Sequence, residues 1–399
     1  MFLFQNQLIS KTEFWRKVSF QADILRQSDK PYYILYSEDC YEFAIKFFAL
    51  IEIKKTIILP PNNQNKILNN FEDKLKDLPN SKIIFYTSGS TGESKLIVKD
   101  FMNLQIEIQE LKKLWGNCLN DSIFLSTVSH QHIYGLLFRL LLPMALENTI
   151  IDCTITNTQE ELIKKIQVSK NHTLITSPAF IKRFEPNLKI SSFAKIQYCF
   201  SSGGVLKPEI INNIKPVCQN LIEILGSTET GGIAYKKPTE SNIWTLFPLV
   251  QIKKQNTLSV KSAYILDKNY IETGDTIEFL SEKHFLLKER TDSIVKIEEK
   301  RVSLIEIENK LLKHEYIKDC SACVLEANRQ IIAIVAVLSV SGLKYLELNN
   351  KFSLNYLLRK YLLDYFEPVL LPRKWRYLDR LPFNSQGKLN KKEIYNLFS

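Results

Sequence analysis

The sequence predicts an α/β protein with a large N-terminal α/β domain, which includes a small antiparallel β unit, and a small α+β C-terminal domain. Short apolar runs alternate with helical patterns up to residue 225, and strand-like pieces separated by turn residues follow over 243–288. A βα alternation is typical of a parallel sheet covered by helices. The length of 399 residues is sufficient for two domains, which we place at 1–290 and 291–399.

The predicted elements follow in chain order. Residues 43–51 have the pattern of an amphipathic helix, and 56–59 form a strand that ends at a Pro-Pro turn. The strands of the parallel sheet are predicted at 83–85, 122–126, 149–152, 173–176, 196–200 and 222–225. The strands of the antiparallel unit are predicted at 258–260, 264–266, 277–280 and 284–287. The C-terminal domain is predicted to contain strands at 293–297 and 331–338 and helices at 304–312 and 353–365.

The composition excludes several classes of protein. The net charge of +10 comes with lysines spread along the whole chain and no nucleic-acid-binding motif, so we expect no nucleic-acid partner. No apolar stretch approaches the roughly 20 residues of a membrane span. The seven cysteines are scattered and odd in number, and no secretory signal is present, so we expect a cytoplasmic protein with reduced thiols. The Cys320-x-x-Cys323 spacing is better explained by an ordinary strand than by a zinc or redox site.

The most distinctive segment is 86–95, with the sequence Tyr-Thr-Ser-Gly-Ser-Thr-Gly-Glu-Ser-Lys. It follows the apolar run 83–85, and a loop of this composition can turn N–H groups and hydroxyls toward a polyphosphate. It is not a Walker A loop, because Gly89 and Gly92 precede Lys95 with the spacing G-x-x-G-x-x-K. Taken alone, the segment also fits a flexible polar loop.

Further short motifs follow in a fixed order. They are Ser-Ser-Gly-Gly-Val-Leu at 201–206, Leu-Gly-Ser-Thr-Glu-Thr-Gly at 225–231, Thr-Gly-Asp at 273–275, Arg-Thr-Asp at 290–292, a basic and apolar segment at 294–308, and Leu-Pro-Phe-Asn-Ser-Gln-Gly-Lys at 381–388. Together with 86–95, this series resembles the adenylate-forming superfamily of acyl- and aryl-CoA synthetases, nonribosomal-peptide adenylation domains and luciferases. The resemblance runs from Tyr86 to the end of the chain and implies that the C-terminal domain is mobile.

The resemblance implies a nucleotide site. The residues that would hold the β- and γ-phosphates of ATP are Thr87, Ser88, Gly89, Ser90, Thr91, Gly92 and Lys95. Those that would contact the adenine are Gly203, Gly204, Leu225 and Gly226. Thr228 and Glu229 match the pair that contacts the α-phosphate and binds Mg²⁺, with Glu229 as the metal ligand. Asp275 matches the carboxylate that accepts the ribose hydroxyls, and Arg290 a second ribose contact.

The remaining implied roles concern catalysis and domain motion. Lys388 resembles the catalytic lysine, and Asp292 falls at the hinge between the two domains. His132 resembles a histidine at the acid-binding pocket, although His130 and His132 also fit solvent-facing strand residues. A metal site at these two histidines is not expected, because no third ligand is apparent. Four apolar residues near the implied acid pocket suggest an apolar or aromatic acid, namely Phe180, Phe200, Leu206 and Ile233.

The activity implied is that of an ATP- and Mg²⁺-dependent carboxylic acid:thiol ligase. A carboxylate would be converted to an acyl-adenylate and then transferred to the thiol of an acyl carrier protein or of coenzyme A. The alternative is a degenerate homologue that binds nucleotide or acyl-adenylate without turnover. The chain departs from the family pattern in four places: the short segment before residue 86, Leu225 in place of a tyrosine, and Glu289 and Glu299 in place of glycines. The short segment, Leu225 and Glu299 motivate this alternative. The short form also resembles ligases that load carrier proteins.

Some conspicuous side chains are predicted to have only structural roles. Three lysine pairs are expected on solvated faces, at 112–113, 164–165 and 236–237. Trp375 lies among basic residues that could dock a carrier protein, but packing of the last strand is the preferred interpretation.

Overall fold

A computed structural model describes residues 1–60, 81–88, 94–167, 171–184, 196–267, 269–290, 294–297, 300–326, 330–383 and 389–398. The elements up to residue 119 are β1 (Phe2–Phe4), β2 (Gln7–Ile9), α1 (Lys11–Arg26), β3 (Tyr32–Ile34), α2 (Cys40–Glu52), β4 (Thr56–Leu59), β5 (Lys82–Ser88), β6 (Ser94–Asp100) and α3 (Phe101–Leu119). Helix α2 begins where the Asp39 side chain accepts a hydrogen bond from the N–H of Glu42, which satisfies a donor of the first turn. Most of its apolar residues are buried, as the sequence predicts, while Phe48 and Ile51 are half-buried.

Strands β3 to β6 form a four-stranded sheet in that order, within the described residues. β3, β4 and β5 are parallel, whereas β5 and β6 are antiparallel, with Thr87 opposite Lys95 and Ser88 opposite Ser94. Two predictions are therefore wrong in part. The strand at 83–85 belongs to this separate sheet, and much of the predicted loop 86–95 is strand. Backbone pairing between β5 and β6 fixes these polar residues in extended form, which their composition alone does not reveal.

A second, larger sheet begins with a parallel part. Its middle segment contains β7 (Ile123–Ser126), α4 (Ile133–Gly135), a π-helix (Leu136–Leu141), α5 (Leu142–Ala145), β8 (Ile150–Ile155), α6 (Gln159–Ile166), β9 (His172–Thr176), α7 (Pro178–Ile181), β10 (Ile196–Ser201), α8 (Pro208–Ile214), β11 (Cys218–Ser227) and β12 (Gly231–Lys236). Neighbouring strands run parallel in the order β11-β10-β9-β7-β8-β1. The predicted parallel sheet is confirmed for these strands.

The antiparallel unit continues the same sheet. It consists of β13 (Ile243–Leu246), β14 (Val250–Ile252), β15 (Thr257–Ser262), β16 (Ile271–Ser281) and β17 (His284–Arg290). β12 joins it to the parallel part, which gives thirteen strands among the described residues, in the order β14-β15-β16-β17-β13-β12-β11-β10-β9-β7-β8-β1-β2. The predicted strand at 264–266 is wrong: the chain turns there, and Tyr264 is buried against the core.

The C-terminal segment has its own small sheets. Its elements are β18 (Ile294–Ile297), β19 (Lys300–Ser303), α9 (Leu304–Leu311), β20 (Ile317–Glu326), β21 (Gln330–Leu338), α10 (Val340–Leu348), α11 (Lys351–Leu362), a 3₁₀ turn (Pro368–Leu370), β22 (Lys374–Tyr377) and α12 (Lys391–Asn396). Cys320 and Cys323 lie in β20 and belong to different hydrophobic clusters, which confirms the prediction of an ordinary strand. Trp375 is buried, so its predicted packing role is also confirmed.

The hydrophobic clusters are consistent with a large and a small domain. The largest cluster spans Phe2 to Phe285, and the clusters of the C-terminal segment span Ile297 to Phe398. The boundary at 290 and 291 stays a prediction. In the part of the chain that the structure describes, no helix has the length and hydrophobicity needed to cross a bilayer.

Candidate nucleotide-binding site

The turn between β11 and β12 carries Thr228 and Glu229, the predicted α-phosphate and metal residues. Both are half-buried, so their side chains are open to a ligand. The turn is closed by Ser227 and Thr230: the Ser227 N–H donates to Thr230 Oγ1 at 3.1 Å, and the Thr230 N–H donates to Ser227 Oγ at 3.2 Å. Gly231 follows with φ +70°, a conformation that favours glycine.

The predicted phosphate loop is part of a hairpin. Thr87 and Ser88 end β5, and Lys95 is the second residue of β6, directly opposite Thr87. The side chains of these three residues are outside the described part of the structure, as are Gly89, Ser90, Thr91 and Gly92 entirely. What the structure does place is the backbone of the two strands that lead into and out of the loop.

Two buried charged residues that the sequence analysis missed lie beside the turn. Lys99, on β6, is 1% exposed, and its Nζ lies 2.8 Å from the carbonyl oxygen of Tyr264 and 3.4 Å from that of Glu229. Glu107, on α3, is 3% exposed and accepts a hydrogen bond of 2.7 Å from the Gly232 N–H. Because Lys99 is on the returning strand of the phosphate hairpin, this contact brings that hairpin next to the Glu229 turn.

The predicted adenine residues meet at the ends of β10 and β11. Gly203 and Gly204 follow β10 and are exposed, with Gly203 at φ +94°. Glu223 on β11 accepts a hydrogen bond of 2.9 Å from the Leu206 N–H, and Ser202 Oγ donates to the Ile224 carbonyl at 3.0 Å. These bonds hold the glycine turn against the strand that contains Leu225 and Gly226. Leu225 is half-buried there, and the register of β11 and β12 shifts between it and Gly226.

The two predicted ribose residues are direct neighbours. Asp275 on β16 is opposite Arg290 on β17, at a point where the register of the two strands is irregular. Asp275 is largely buried at 8% exposure, and its N–H donates to Thr273 Oγ1 at 3.2 Å. The side chain of Arg290 is outside the described part of the structure. The whole Thr-Gly-Asp motif lies within β16.

The segment that contains His130 and His132 is a turn leading into α4, and not the strand that the sequence also allowed. His130 is fully buried and lies in a turn, and half-buried His132 is the N-cap residue of α4. Arg139 Nη1 lies 3.2 Å from His130 Nδ1, and His130 Nε2 lies 2.8 Å from the Ser37 carbonyl oxygen. Because arginine only donates, Nδ1 is the acceptor and Nε2–H donates to Ser37. The prediction of solvent-facing strand residues is wrong.

Arg139 organises this buried cluster. The residue is fully buried within the π-helix, and its Nη2 donates to the Cys153 carbonyl at 2.6 Å while Nη1 also reaches the Val128 carbonyl at 3.3 Å. These bonds tie the segment before His132 to β8. In the sequence Arg139 is only an interruption of an apolar run, and no local signal identifies its partners.

Several predictions fall on residues that the structure does not describe. They are the predicted catalytic role of Lys388, the predicted hinge at Asp292 and the departure from the family pattern at Glu299. Their roles stay predictions.

The residues suggested for the acid pocket are all packed in the core. Phe200 and Ile233 belong to the largest cluster, and Phe180 and Leu206 to a second one. The apolar or aromatic character of the acid stays a prediction. An apolar cavity of about 210 Å³ lies between α1, α2 and α3, where Phe14, Phe48 and Phe101 contribute to its wall. None of the predicted site residues lines it.

The donor set at the turn fits Mg²⁺ carried by a nucleotide. Glu229 offers a carboxylate and Thr228 a hydroxyl, and Mg²⁺ is usually bound by one or two carboxylates together with substrate phosphates and water. Among the described residues, no group of three or more His, Cys, Asp or Glu side chains could hold a metal ion by itself. A metal ion bound partly through phosphates does not require such a group.

Curated relatives resemble this chain over most of its length. The probable CoA ligase CCL8 of Humulus lupulus is 25% identical over 404 residues, which cover 83% of this chain and 63% of that protein. The D-alanine–D-alanyl carrier protein ligase of Staphylococcus haemolyticus is 22% identical over 347 residues, which cover 77% of this chain and 70% of that protein. The chain thus spans about two thirds of the length of these relatives.

The fold also matches solved structures. The o-succinylbenzoate CoA synthetase of Bacillus subtilis, solved with its acyl-adenylate intermediate, superimposes with a TM-score of 0.74 at 14% identity, covering 98% of this chain and 94% of that one. The sequence profile described as "AMP-binding enzyme" matches residues 22–269, which is more than half of the chain. The chain therefore belongs to the AMP-binding, adenylate-forming enzyme family.

Proposed function

We propose that this protein is an ATP-dependent carboxylic acid:thiol ligase. The observation that carries the proposal is the contact of Lys99 with the Glu229 carbonyl, because it brings the phosphate hairpin next to the turn that bears Thr228 and Glu229. Asp275 and Arg290 lie opposite each other in the same large sheet. This arrangement supports a site in which one nucleotide contacts all of these elements.

The first half-reaction would need positioning and charge neutralisation more than proton transfer. The substrate carboxylate is ionised at pH 7, so it can attack the α-phosphorus of ATP in line without a general base, and pyrophosphate leaves. Asp275 would accept the ribose hydroxyls, and Thr228 would donate its hydroxyl to the α-phosphate. Mg²⁺, held by Glu229, would supply positive charge at the phosphates. Lys388 would place its ammonium group between the carboxylate and the α-phosphate, where negative charge develops.

In the second half-reaction a phosphopantetheine thiol would attack the acyl carbon, a thioester would form, and AMP would leave with the electrons of the broken acyl–phosphate bond. We propose an acyl carrier protein as acceptor, with coenzyme A as the second candidate. Relatives of both types support this pair of candidates, since one is named as a CoA ligase and another as a carrier protein ligase.

Acid-dependent exchange of radiolabelled pyrophosphate into ATP tests the first half-reaction. Aryl, medium-chain and amino acids would be supplied in turn with Mg²⁺, to the wild-type protein and to Lys388→Ala. We expect exchange with one class of acid and a loss of at least about 100-fold in the variant, with ATP affinity nearly unchanged. Equal exchange by Lys388→Ala would refute the role of the lysine. ATP binding without exchange for any acid would support the degenerate homologue.

The acceptor is tested separately by mass spectrometry. Phosphopantetheinylated carrier proteins and coenzyme A would be offered with the accepted acid, and a mass increase of the carrier by one acyl group is expected. Formation of acyl-CoA alone would reject the carrier as acceptor.

A further inference from the structure

A lysine buried at the back of a proposed metal-binding turn requires an explanation. Lys99 is on β6, four residues after Lys95, and its ammonium group lies among backbone carbonyls, 2.8 Å from Tyr264 O and 3.4 Å from Glu229 O. Burial lowers the pKa of Lys99, while the nearby carboxylates of Glu107 and Glu229 act in the opposite direction. A buried cation of this kind is tolerated only where such partners compensate for lost hydration.

The carboxylate of Glu107 contacts the chain on the other side of Glu229, at Gly231 and Gly232. Its Oε1 accepts the hydrogen bond from the Gly232 N–H, and its Oε2 has no hydrogen-bond partner among the described residues. A Cβ atom at Gly231 would lie 2.9 Å from Oε2, and one at Gly232 would lie 3.1 Å from Oε1. The carboxylate therefore occupies the space that the two glycines leave open behind the turn.

These contacts act on the backbone of the turn and leave its side chains available. Lys99 contacts the carbonyl of Glu229, and Glu107 contacts the first residues of β12. Thr228 and Glu229 themselves stay half-buried. Since β6 is the returning strand of the phosphate hairpin and α3 follows it directly, both charged residues are anchored to the hairpin.

We propose that Lys99 and Glu107 are positioning residues, which fix the Glu229 turn relative to the phosphate hairpin so that metal and phosphates are bound in one geometry. The inference rests on the proposed nucleotide site. It predicts that the pair contributes to how strongly Mg²⁺ promotes ATP binding, in addition to any contribution to stability.

The competing explanation is that the pair only stabilises the fold. Lys99 and Glu107 are both buried, and each favours the charged form of the other by electrostatic attraction. Removing one of two buried charges that compensate each other destabilises a protein strongly, whereas replacing both together is often nearly neutral. The double variant Lys99→Met/Glu107→Gln therefore separates the two explanations. It removes both charges while the glutamine oxygen can still accept from the Gly232 N–H.

Asp152 provides a matched control. Its Oδ2 forms an ion pair with half-buried Lys165 at 2.9 Å, and Asp152 itself is 5% exposed on β8. Asp152→Asn also removes the charge of a buried carboxylate that has a lysine partner, on a strand that pairs with neither strand of the Glu229 turn among the described residues. Glu229→Gln is the reference for loss of the metal ligand itself.

The measurement is ATP affinity by calorimetry, with and without Mg²⁺, together with the thermal unfolding midpoint of every variant. Wild type should bind ATP more tightly with Mg²⁺, and the double variant should lose about tenfold or more of this enhancement while its midpoint stays close to that of wild type. Asp152→Asn should have a lower thermal unfolding midpoint than wild type, but Mg²⁺ should increase its ATP affinity as much as it does for wild type.

Three results would overturn the proposal. Mg²⁺ could increase the ATP affinity of the double variant as much as that of wild type, or it could leave the ATP affinity of wild type unchanged. The third result is that Asp152→Asn reduces the effect of Mg²⁺ on ATP affinity as much as the double variant does. Because binding requires no turnover, the inference can fail or hold independently of the ligase activity. Suppose that the effect of Mg²⁺ on ATP affinity depends on Lys99 and Glu107, but no acid supports pyrophosphate exchange. The proposed ligase activity would then be rejected, while the positioning role of the two residues would be retained.

Discussion

Glu223 and Lys236 face each other across β11 and β12 as a buried ion pair, with 3.2 Å between Oε2 and Nζ. Only 1% and 7% of the two side chains are exposed. The ammonium group also lies 4.7 Å from the centre of the Trp244 ring, a cation–π distance. The prediction that Lys236 lies on a solvated face is therefore wrong, because cross-strand pairing places it beside a carboxylate in the core.

We expect Lys236→Met to destabilise the protein by about 3–5 kcal/mol, because it leaves the buried Glu223 carboxylate without its cation. Adding Glu223→Gln should recover much of this loss, since the amide oxygen can still accept from the Leu206 N–H. Urea unfolding of both variants tests the pair. A double variant no more stable than the single one would contradict the prediction.

The pH dependence of stability should depend on His172, which is 1% exposed on β9. Burial, opposed by Asp152, lowers its pKa from 6.5 to about 4. The folded protein therefore keeps His172 neutral, and its contribution is present above pH 6.5 and is lost as the pH falls toward 4. The loss corresponds to about 3 kcal/mol.

His172→Gln should remove this part of the pH dependence. Urea unfolding of wild type and variant between pH 7.5 and about 4.5 gives the difference in unfolding free energy. We expect the advantage of wild type over the variant to shrink on acidification. A constant difference across this range would show that His172 does not titrate as its surroundings predict.

Gly226 and Gly204 should respond differently to alanine. A Cβ atom at Gly226 would lie 2.5 Å from the Gly231 carbonyl oxygen, so Gly226→Ala must displace the backbone of the hairpin. We expect a loss of at least about 2 kcal/mol in stability.

A Cβ atom at Gly204 would meet only Pro178 Cγ, at an ordinary contact distance of 3.7 Å. Gly204→Ala should therefore change stability by less than about 0.5 kcal/mol, while it weakens ATP binding if adenine lies against this turn. Thermal unfolding and calorimetry distinguish the two effects. Unchanged ATP affinity in a stable Gly204→Ala protein would argue against the proposed adenine site.

Polar contacts connect the two predicted domains. Lys182 Nζ lies 2.5 Å from Asp319 Oδ2, and Lys207 Nζ donates to Asn309 Oδ1 at 3.0 Å. Because these side chains are partly exposed, Lys182→Glu should cost less than about 1 kcal/mol in stability. It should nevertheless disfavour this arrangement of the domains, since it places two carboxylates together.

Energy transfer between dyes on the two domains measures the effect. The reversed pair Lys182→Glu/Asp319→Lys should restore the wild-type distance distribution. Lys237→Glu is a suitable control, because it makes the same charge change at an ion pair within one domain, 3.2 Å from Glu240. A distribution that does not change in Lys182→Glu would show that this contact does not influence the domain arrangement.

The sequence by itself determined the parallel strands, the antiparallel unit and the order of the nucleotide-binding motifs. These features follow from patterns that are local in the chain: apolar runs of strand length, glycine turns at their ends, and short spacings between polar residues. The family follows from the same motifs, and the matching family profile confirms it.

Only the tertiary structure decided which charged residues are buried and what they contact. Lys99 and Tyr264 are 165 residues apart in sequence, and Glu107 and Gly232 are 125 residues apart. Lys99, Arg139 and Lys236 look like solvated side chains or interruptions of an apolar pattern, because local composition contains no information about such distant partners. A buried charge is stable only when strands and helices from remote parts of the chain supply compensating groups, and those groups are brought together by the fold.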